Sequence, residues 1–560
     1  MKVLGQVLLA RLEIWAADND ILSPFQYGFR PGLSTVDQGL NLSLIIDKYT
    51  RAKDESLYLG FMDLSSAFDR VNRQKLWLLM DEIGVDNNLV QLLRDLHGPM
   101  MAVVRMDSEG RCSRTFNLER GVRQGCIMSP FLFTLYTNAL GDTLMRIGED
   151  APRVGKSRIP ILLYADDAVL ISRTHRGLQV LLDAYASFMT SLDLNINCGK
   201  SHTMVLGKGH QKASSKSFFC QGIKLLNVPF FNYLGITFDQ QSNWKQLLLS
   251  KKMLLAKSAG AVHDFSRSLG KKHYRAFCEI YRARCVSAVV YGAEIWGHID
   301  SSMLQIQENK FIRRLLMLPQ CSAVFSIHDE LGLPFICDLI ALKPLLYWLK
   351  VWIRAEPFMN RTILRDCLSL DRVDQIPWLM YLKKEFDGLG RPDLFQSPES
   401  ICLADFHWVK KNFLLKKQSD REKSLFSKPL VLAHMKIKTV MGMEPYLQWV
   451  IRPTHLFYLI RFRFDMLHPF LSSVKGWSDR VLLGPCDCDN SSKQDLLHFI
   501  LICTHYDMPR RCFLKPILKP YGFREAKVAL MFLQQLNSHL VCFALGNYLL
   551  SAVKLRESMF

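Results

Sequence analysis

The sequence predicts an α+β protein of several domains, and three observations carry that reading. Ile161-Leu-Leu-Tyr-Ala-Asp166-Asp167-Ala-Val-Leu-Ile171 sets two adjacent carboxylates between two apolar runs of strand length. It reads as a hairpin with its acids at the tip. Leu57-Tyr-Leu-Gly-Phe-Met62 is another strand-length run, and it ends in Asp63. Between Gly177 and Leu192, the residues Leu178, Leu181, Leu182, Tyr185, Phe188 and Leu192 recur at helical spacing, which marks a core-facing helix. Beyond residue 240 the pattern is mostly helical.

A strand ending in Asp63 can lie beside the Asp166-Asp167 hairpin, so that three acids meet at one sheet edge. Like charges held together at the end of a core are costly unless cations neutralise them. For the hairpin alone an ordinary β-turn is the competing reading, because Asp is a common turn residue. Three carboxylates without neighbouring His or Cys suit Mg²⁺ or Mn²⁺ better than Zn²⁺. Two such ions roughly 4 Å apart can clamp the attacking and leaving oxygens of a phosphoryl transfer. The sequence has no GxSxG elbow and no Walker loop that would direct the chemistry elsewhere.

The chain has 560 residues and a formal net charge of +19, which favours an anionic partner, nucleic acid before membrane surface. No apolar run approaches the length of a membrane span. The first ten residues resemble a short signal peptide, but Arg11 and Glu13 interrupt the pattern. A helix burying Leu4, Val7, Leu8, Leu12 and Trp15 explains them better. Fifteen scattered cysteines point to reduced thiols and so to cytoplasm or nucleus.

In this order, FMDLSSAFDRV, GVRQGCIMSPFLFTLYTNAL and LLYADDAVLI resemble the palm motifs of reverse transcriptases, in the flavour of non-LTR (LINE-type) retrotransposons. Gln26-Tyr-Gly28-Phe29-Arg30 through Ser34-Thr35-Val-Asp37-Gln resembles the fingers motif of that group. Leu194–Ser201 resembles the loop after the palm helix, Asn232–Ile236 the primer grip, and Tyr291–Gly297 a downstream segment. The resemblance implies a right-hand polymerase fold. Its segments are partial fingers at 1–50, palm at 51–240, helical thumb at 241–350, a helical basic connector at 351–475, a Cys/His knuckle at 476–520 and a C-terminal helix at 521–560. Members of the family usually have more fingers sequence upstream, and often an endonuclease, so the chain is expected to be truncated at the N-terminus.

The resemblance makes Asp63 and Asp166 metal ligands, with Asp167 supporting them. Phe68 matches the gate that excludes a ribose 2′-hydroxyl, though as a residue it also reads as a core aromatic. Arg123, Gln124 and Gly125 match the segment that meets nucleotide and template, with Gly125 allowing close backbone approach. Ser129-Pro130 is expected to cap and start a helix over Phe131–Leu140. Lys200 matches a lysine near the triphosphate and reads equally as a solvated loop residue. Tyr233, Leu234 and Gly235 match the primer grip.

In the thumb, Lys251, Lys252, Lys257, Arg267, Lys271 and Lys272 could track a duplex or simply form a solvated face. Lys410, Lys411, Lys416, Lys417, Arg421, Lys423 and Lys428 interleave with Trp408, Phe413 and Phe426, a pattern shared by single-strand binders and amphipathic surface helices. Arg461-Phe-Arg463-Phe reads as a short strand or a basic patch. Cys486, Cys488, His498 and Cys503 resemble the late Cys-Cys-His-Cys segment of LINE-type proteins, a candidate tetrahedral Zn²⁺ site. The Cys-x-Cys spacing departs from the usual Cys-x2-Cys, and free thiols around a core His498 are the alternative.

The expected function is RNA-directed DNA synthesis with two Mg²⁺ (or Mn²⁺) ions, an RNA template, a DNA primer or target and dNTPs. An element remnant that binds nucleic acid without polymerising is the alternative. A group II intron or retron enzyme is a third reading, which the Phe29-Arg30-Pro motif and the Cys/His segment disfavour.

Overall fold

The computed structural model describes residues 2–53, 55–98, 100–107, 110–123, 125–207, 217–268, 274–316, 318, 320, 322–354, 358–425, 443–447, 453–463, 488, 497–523, 525–536 and 538–557. Its strands are β1 (Leu57–Met62), β2 (Met100–Ala102), β3 (Phe116–Leu118), β4 (Arg153–Val154), β5 (Ser157–Arg158), β6 (Ile161–Tyr164), β7 (Asp167–Ser172), β8 (His202–Leu206), β9 (Phe218–Cys220), β10 (Ile223–Asn227), β11 (Phe230–Tyr233) and β12 (Ile236–Asp239). The rest of the regular structure is helical, so the α+β expectation is met.

The chain divides into two units. The first comprises Met1–Leu247, Glu294–His298 and Pro344–Phe406. Its centre is a six-stranded sheet in the order β6-β7-β1-β8-β10-β9. All six residues of β1 are buried, as a central strand covered on both faces requires. The helix His175–Ser191 packs on β1, β7 and β9 through Leu178, Leu181, Leu182, Tyr185, Ala186 and Met189. Met189 takes the buried slot expected for Phe188, which is half-buried.

The N-terminal helix Lys2–Asp18 buries Gly5, Leu8, Leu12 and Ala16, whereas Leu4 and Val7 are exposed. Small residues at both ends of that face allow a closer approach than the expected Leu4–Trp15 stripe would. The helix after Gly125 spans Ser129–Tyr136 and has Pro130 in its first turn. Ser129 is not its N-cap, because its hydroxyl donates back to the Arg123 carbonyl at 2.7 Å.

Residues 344–406 fold with the first unit, although the sequence suggested a connector from 351. The reason is Asp37, which is fully buried. It closes a capping box with Ser34 and accepts hydrogen bonds from Arg354 at 2.6 Å, Tyr347 at 2.5 Å and Asn360 at 3.2 Å. Burial pushes its carboxyl upward, but the Arg354 guanidinium and the other donors outweigh it and hold the group below its ordinary value.

The second unit comprises Leu248–Ala293, Ile299–Lys343 and His407–Phe560, and its regular structure among the described residues is helical, apart from an isolated bridge between Leu331 and Met443. Lys251, expected on a basic face, is buried and donates to the carbonyls of Tyr291 at 3.1 Å and Ala288 at 3.3 Å. Lys252 and Lys257 are exposed, while the Arg267 side chain, Lys271 and Lys272 lie outside the described residues. On the helix Leu403–Leu425, Phe413 is fully buried, so this ring offers no stacking surface. Arg421 pairs with Asp338, and Lys410 and Lys411 face solvent. The amphipathic-helix reading therefore holds over the described part; Phe426 and Lys428 lie outside it. Arg463 ends the helix Pro453–Arg463, buried against Glu330 at 3.1 Å, and forms neither a strand nor a surface patch. The C-terminal segment is two helices, Ala526–Gln535 and His539–Glu557. Among the described residues no single helix is long and apolar enough to cross a membrane.

Candidate active site

β1 and β7 are antiparallel with Met62 opposite Ala168, so the next pair outward is Asp63 and Asp167. β6 and β7 close as a hairpin in which Tyr164 faces Asp167, leaving Ala165 and Asp166 as the turn. The acids thus straddle the tip: Asp166 lies in the turn and Asp167 opens β7. Protein packed behind the hairpin raises the Asp166 carboxyl, and the charge of Asp63 adds to it. Asp167 is pushed up to about 6, first by that same desolvation and then by the charges of Asp166 and Asp63. Its side chain nevertheless reaches solvent at the rim. The three groups therefore share one field, and ionising all of them is unfavourable without a counter-charge. An all-oxygen donor set at the end of a rigid sheet fits hard divalent ions.

Asp63 is fixed through its backbone. Its N–H donates to the Ser201 hydroxyl at 3.1 Å and its carbonyl accepts from Asn197 N–H at 2.8 Å. Ser201 in turn donates to the Asn197 carbonyl at 2.9 Å. The loop after the palm helix is thus a clamp on Asp63, and Lys200 sits in it with an exposed side chain.

Phe68, in the short helix Ala67–Arg70, is half-buried. Its ring lies 4.8 Å from that of Phe133 and 6.4 Å from that of Phe29. Its carbonyl accepts from Val122 N–H at 3.0 Å, which ties it to the segment that carries Arg123. Arg123 and Gly125 are exposed, and Gln124 lies outside the described residues. Gly125 has φ +77 with open space around its Cβ position, so backbone conformation alone accounts for glycine there.

β11 and β12 form a hairpin turning at Leu234–Gly235. Tyr233 is buried with its ring 6.1 Å from Phe61, and Phe231 stacks on Phe61 at 4.2 Å. Tyr233 thus anchors the hairpin to β1, and the turn is what reaches the surface. Sequence reading missed Ser201, Gln26 and Gln38 as supports of the acids. Gln38 donates to the carbonyls of Leu163 and Phe25, at 2.9 Å each, and so splices the segment 25–27 to β6. The signal was a polar residue inside an otherwise apolar helical stretch.

A second cluster lies in the other unit. Cys488, His498 and Cys503 bring their ligand atoms within 4.8 Å of one another. Cys488 Sγ is 3.2 Å from His498 Nε2, and both His498 and Cys503 are buried. Arg510 holds the adjoining backbone by donating to the Cys503 carbonyl at 2.6 Å and the Ile500 carbonyl at 2.9 Å. Two sulfurs and one imidazole suit Zn²⁺. Cys486, the fourth expected ligand, lies outside the described residues.

The first unit therefore presents an acidic sheet edge, with Phe68 on the short helix that follows Asp63 and the clamping loop Asn197–Ser201 tied to its backbone. Residues 1–238 match the model of the family described as reverse transcriptase (RNA-dependent DNA polymerase). The chain is 29% identical over 222 residues to the Pol polyprotein of the type-2 retrotransposable element R2DM of Drosophila melanogaster, covering 38% of this chain and 20% of that protein. It is 21% identical over 353 residues to the RNA-directed DNA polymerase from mobile element jockey of Drosophila funebris, covering 60% and 37%. The corresponding protein of transposon X-element, from Drosophila melanogaster, is 23% identical over 359 residues, again with 60% and 37% covered. The chain therefore spans between 20% and 37% of the length of these relatives. A telomerase structure from Candida tropicalis, with a fragment of telomeric RNA, aligns over 73% of this chain and 56% of its own at 12% identity and a TM-score of 0.32.

Proposed function

We propose that this chain is an RNA-directed DNA polymerase that extends a primer 3′-hydroxyl with dNTPs on an RNA template, as part of retrotransposon copying. The observation that carries the proposal is the β1–β7 register, which sets Asp63 opposite Asp167 with Asp166 in the adjoining turn. Asp63, Asp166 and Asp167 would hold two Mg²⁺ or Mn²⁺ ions. Bound there, the ions would make the primer hydroxyl more acidic and stabilise the departing pyrophosphate. The protein residues mainly position and exclude. Phe68, braced by Phe133 and Phe29, crowds the sugar edge and rejects a 2′-hydroxyl. Arg123, Gln124 and Gly125 line the nucleotide and template. Lys200 lies on the loop that clamps Asp63, where it can give a proton to pyrophosphate. The Leu234–Gly235 turn touches the primer end. In the second unit, Cys486 would complete a Zn²⁺ site with Cys488, His498 and Cys503. With four protein ligands that ion organises a nucleic-acid-binding surface and does no chemistry. A nicked chromosomal target would supply the primer, and the protein would then act in the nucleus as well as the cytoplasm.

The test is primer extension on an RNA template with dNTPs and Mg²⁺, comparing wild type with Asp166→Asn. Extension by wild type alone supports the reading. No extension by either, with retained salt-sensitive binding of primer–template, identifies a remnant that only binds nucleic acid. Equal extension by both refutes the site.

A further inference from the structure

The turn that carries Asp166 is not self-supporting. Ala165 has φ +57, a left-handed conformation that costs free energy for any residue with a Cβ. Something outside the hairpin must hold it, and the contacts identify Gln26. This side chain is 2% exposed and lies 139 positions away in sequence. Its Oε1 accepts from Ala165 N–H at 2.9 Å, and its Nε2 donates to the Ala165 carbonyl at 3.3 Å. The same Oε1 accepts from Gly28 N–H at 2.8 Å, and a Cβ on Gly28 would stand 2.2 Å from Ala165 N. One amide therefore satisfies both backbone groups of the residue before Asp166, and glycine at 28 leaves room for the approach. Gln38 holds Leu163 two residues upstream, and Asn41 donates to Gln38 at 2.9 Å, so the support is continuous.

We infer that Gln26 is a positioning residue for the reaction: it fixes the Ala165–Asp166 turn so that the Asp166 carboxylate is aimed before any ion or nucleotide binds. This rests on the polymerase reading of the site. An amide suits the task because it offers a donor and an acceptor on one rigid group and adds no charge beside three carboxylates. The near-isosteric Gln26→Met removes all three hydrogen bonds, whereas Gln26→Asn keeps donor and acceptor on an uncharged arm one methylene shorter.

The experiment uses the full chain and three readouts: Mn²⁺ titration followed by the paramagnetic resonance of the free ion, single-turnover incorporation of one dNTP on an RNA template, and thermal melting. Support of an outlying kind to a metal ligand is typically worth about 10- to 100-fold in metal affinity, and that weakening is expected for Gln26→Met. The incorporation rate at saturating dNTP should fall about 100-fold, as for a misplaced reacting group. The dNTP KM and primer–template affinity should stay at wild-type values, and Gln26→Asn should fall between. Unchanged Mn²⁺ affinity in a Gln26→Met protein that melts normally overturns the inference. So does a loss of metal, primer–template and melting midpoint in parallel in both variants, since that marks a purely structural role. If wild type binds Mn²⁺ but incorporates nothing, the polymerase reading fails while the titration still decides Gln26. If wild type binds no Mn²⁺, both fail.

Discussion

The carboxylate edge of the first unit and the Cys/His cluster of the second gather metal-ligating side chains by opposite means. At the edge, β1, β6 and β7 fix three acids at the end of a packed sheet, where burial first and the neighbouring carboxylates second raise Asp166 and Asp167. Rigid β-structure meets the cost in advance, so the site exists before the ion arrives. In the cluster the ligands come from one irregular turn, His498–Cys503, and from Cys488 ten positions before His498. Here a turn rather than a sheet gathers the ligands, so on the reading proposed above ion binding would be coupled to folding. The difference teaches that a sheet can gather ligands without an ion, whereas an ion bound by a turn would itself help to order the chain.

The comparison can be broken at its scaffold. Asp37→Asn leaves Arg354, with 12% of its side chain exposed, facing a neutral group. Breaking such a pair costs about 3 kcal/mol, so the first unit should lose that much stability in a denaturant titration while zinc content stays constant. A variant as stable as wild type would mean that the edge does not depend on residues 344–406.

Next in size is Cys503→Ser, which should weaken Zn²⁺ binding by roughly 100-fold, or about 2.7 kcal/mol. Competition with a chromogenic chelator measures it. The second unit should melt earlier, and Mn²⁺ binding at the acids should not change. Wild-type protein purified without stoichiometric zinc would end the structural-metal reading.

The smallest effect is a pH dependence of the second unit's stability. Glu308 is buried and accepts from Tyr281 at 2.9 Å and Ile336 N–H at 3.1 Å. Burial pushes its carboxyl from 4.5 up to about 7. Burial likewise pushes His328 down to about 3, so the neighbouring imidazole stays neutral and gives no ion pair. A raised folded-state value favours the protonated form. The stability Glu308 contributes is thus full below about 4.5 and is lost as pH rises through about 7. The melting midpoint should fall across that window, and Glu308→Gln should flatten the fall. An identical slope in the variant would assign the titration to another group.

The acids were legible because each closes a strand whose apolar residues lie beside it in sequence. β1 and the β6–β7 hairpin need no distant information. Gln26, Gln38 and Asp37 were not legible in their roles, because their long-range partners lie 125 to 323 positions away and polar residues near a turn look ordinary. Tyr233 shows the complementary limit: its motif pointed to the primer, but packing on Phe61 turns its side chain inward. In the second unit, Phe413 and Arg463 looked like surface groups because alternating charge and aromatics describes a nucleic-acid face and a buried helix side equally well. Only the partners, such as Glu330 for Arg463, separate the two.

The most direct measurement is single-turnover incorporation of one dNTP on saturating RNA template–primer, with wild type, Asp166→Asn and Cys503→Ser compared in Mg²⁺. The account predicts a Mg²⁺-dependent burst from wild type, a burst of the same rate from Cys503→Ser, and none from Asp166→Asn. Incorporation by Asp166→Asn at the wild-type rate, or its abolition by Cys503→Ser at saturating substrate, would contradict the assignment of chemistry to the carboxylate edge.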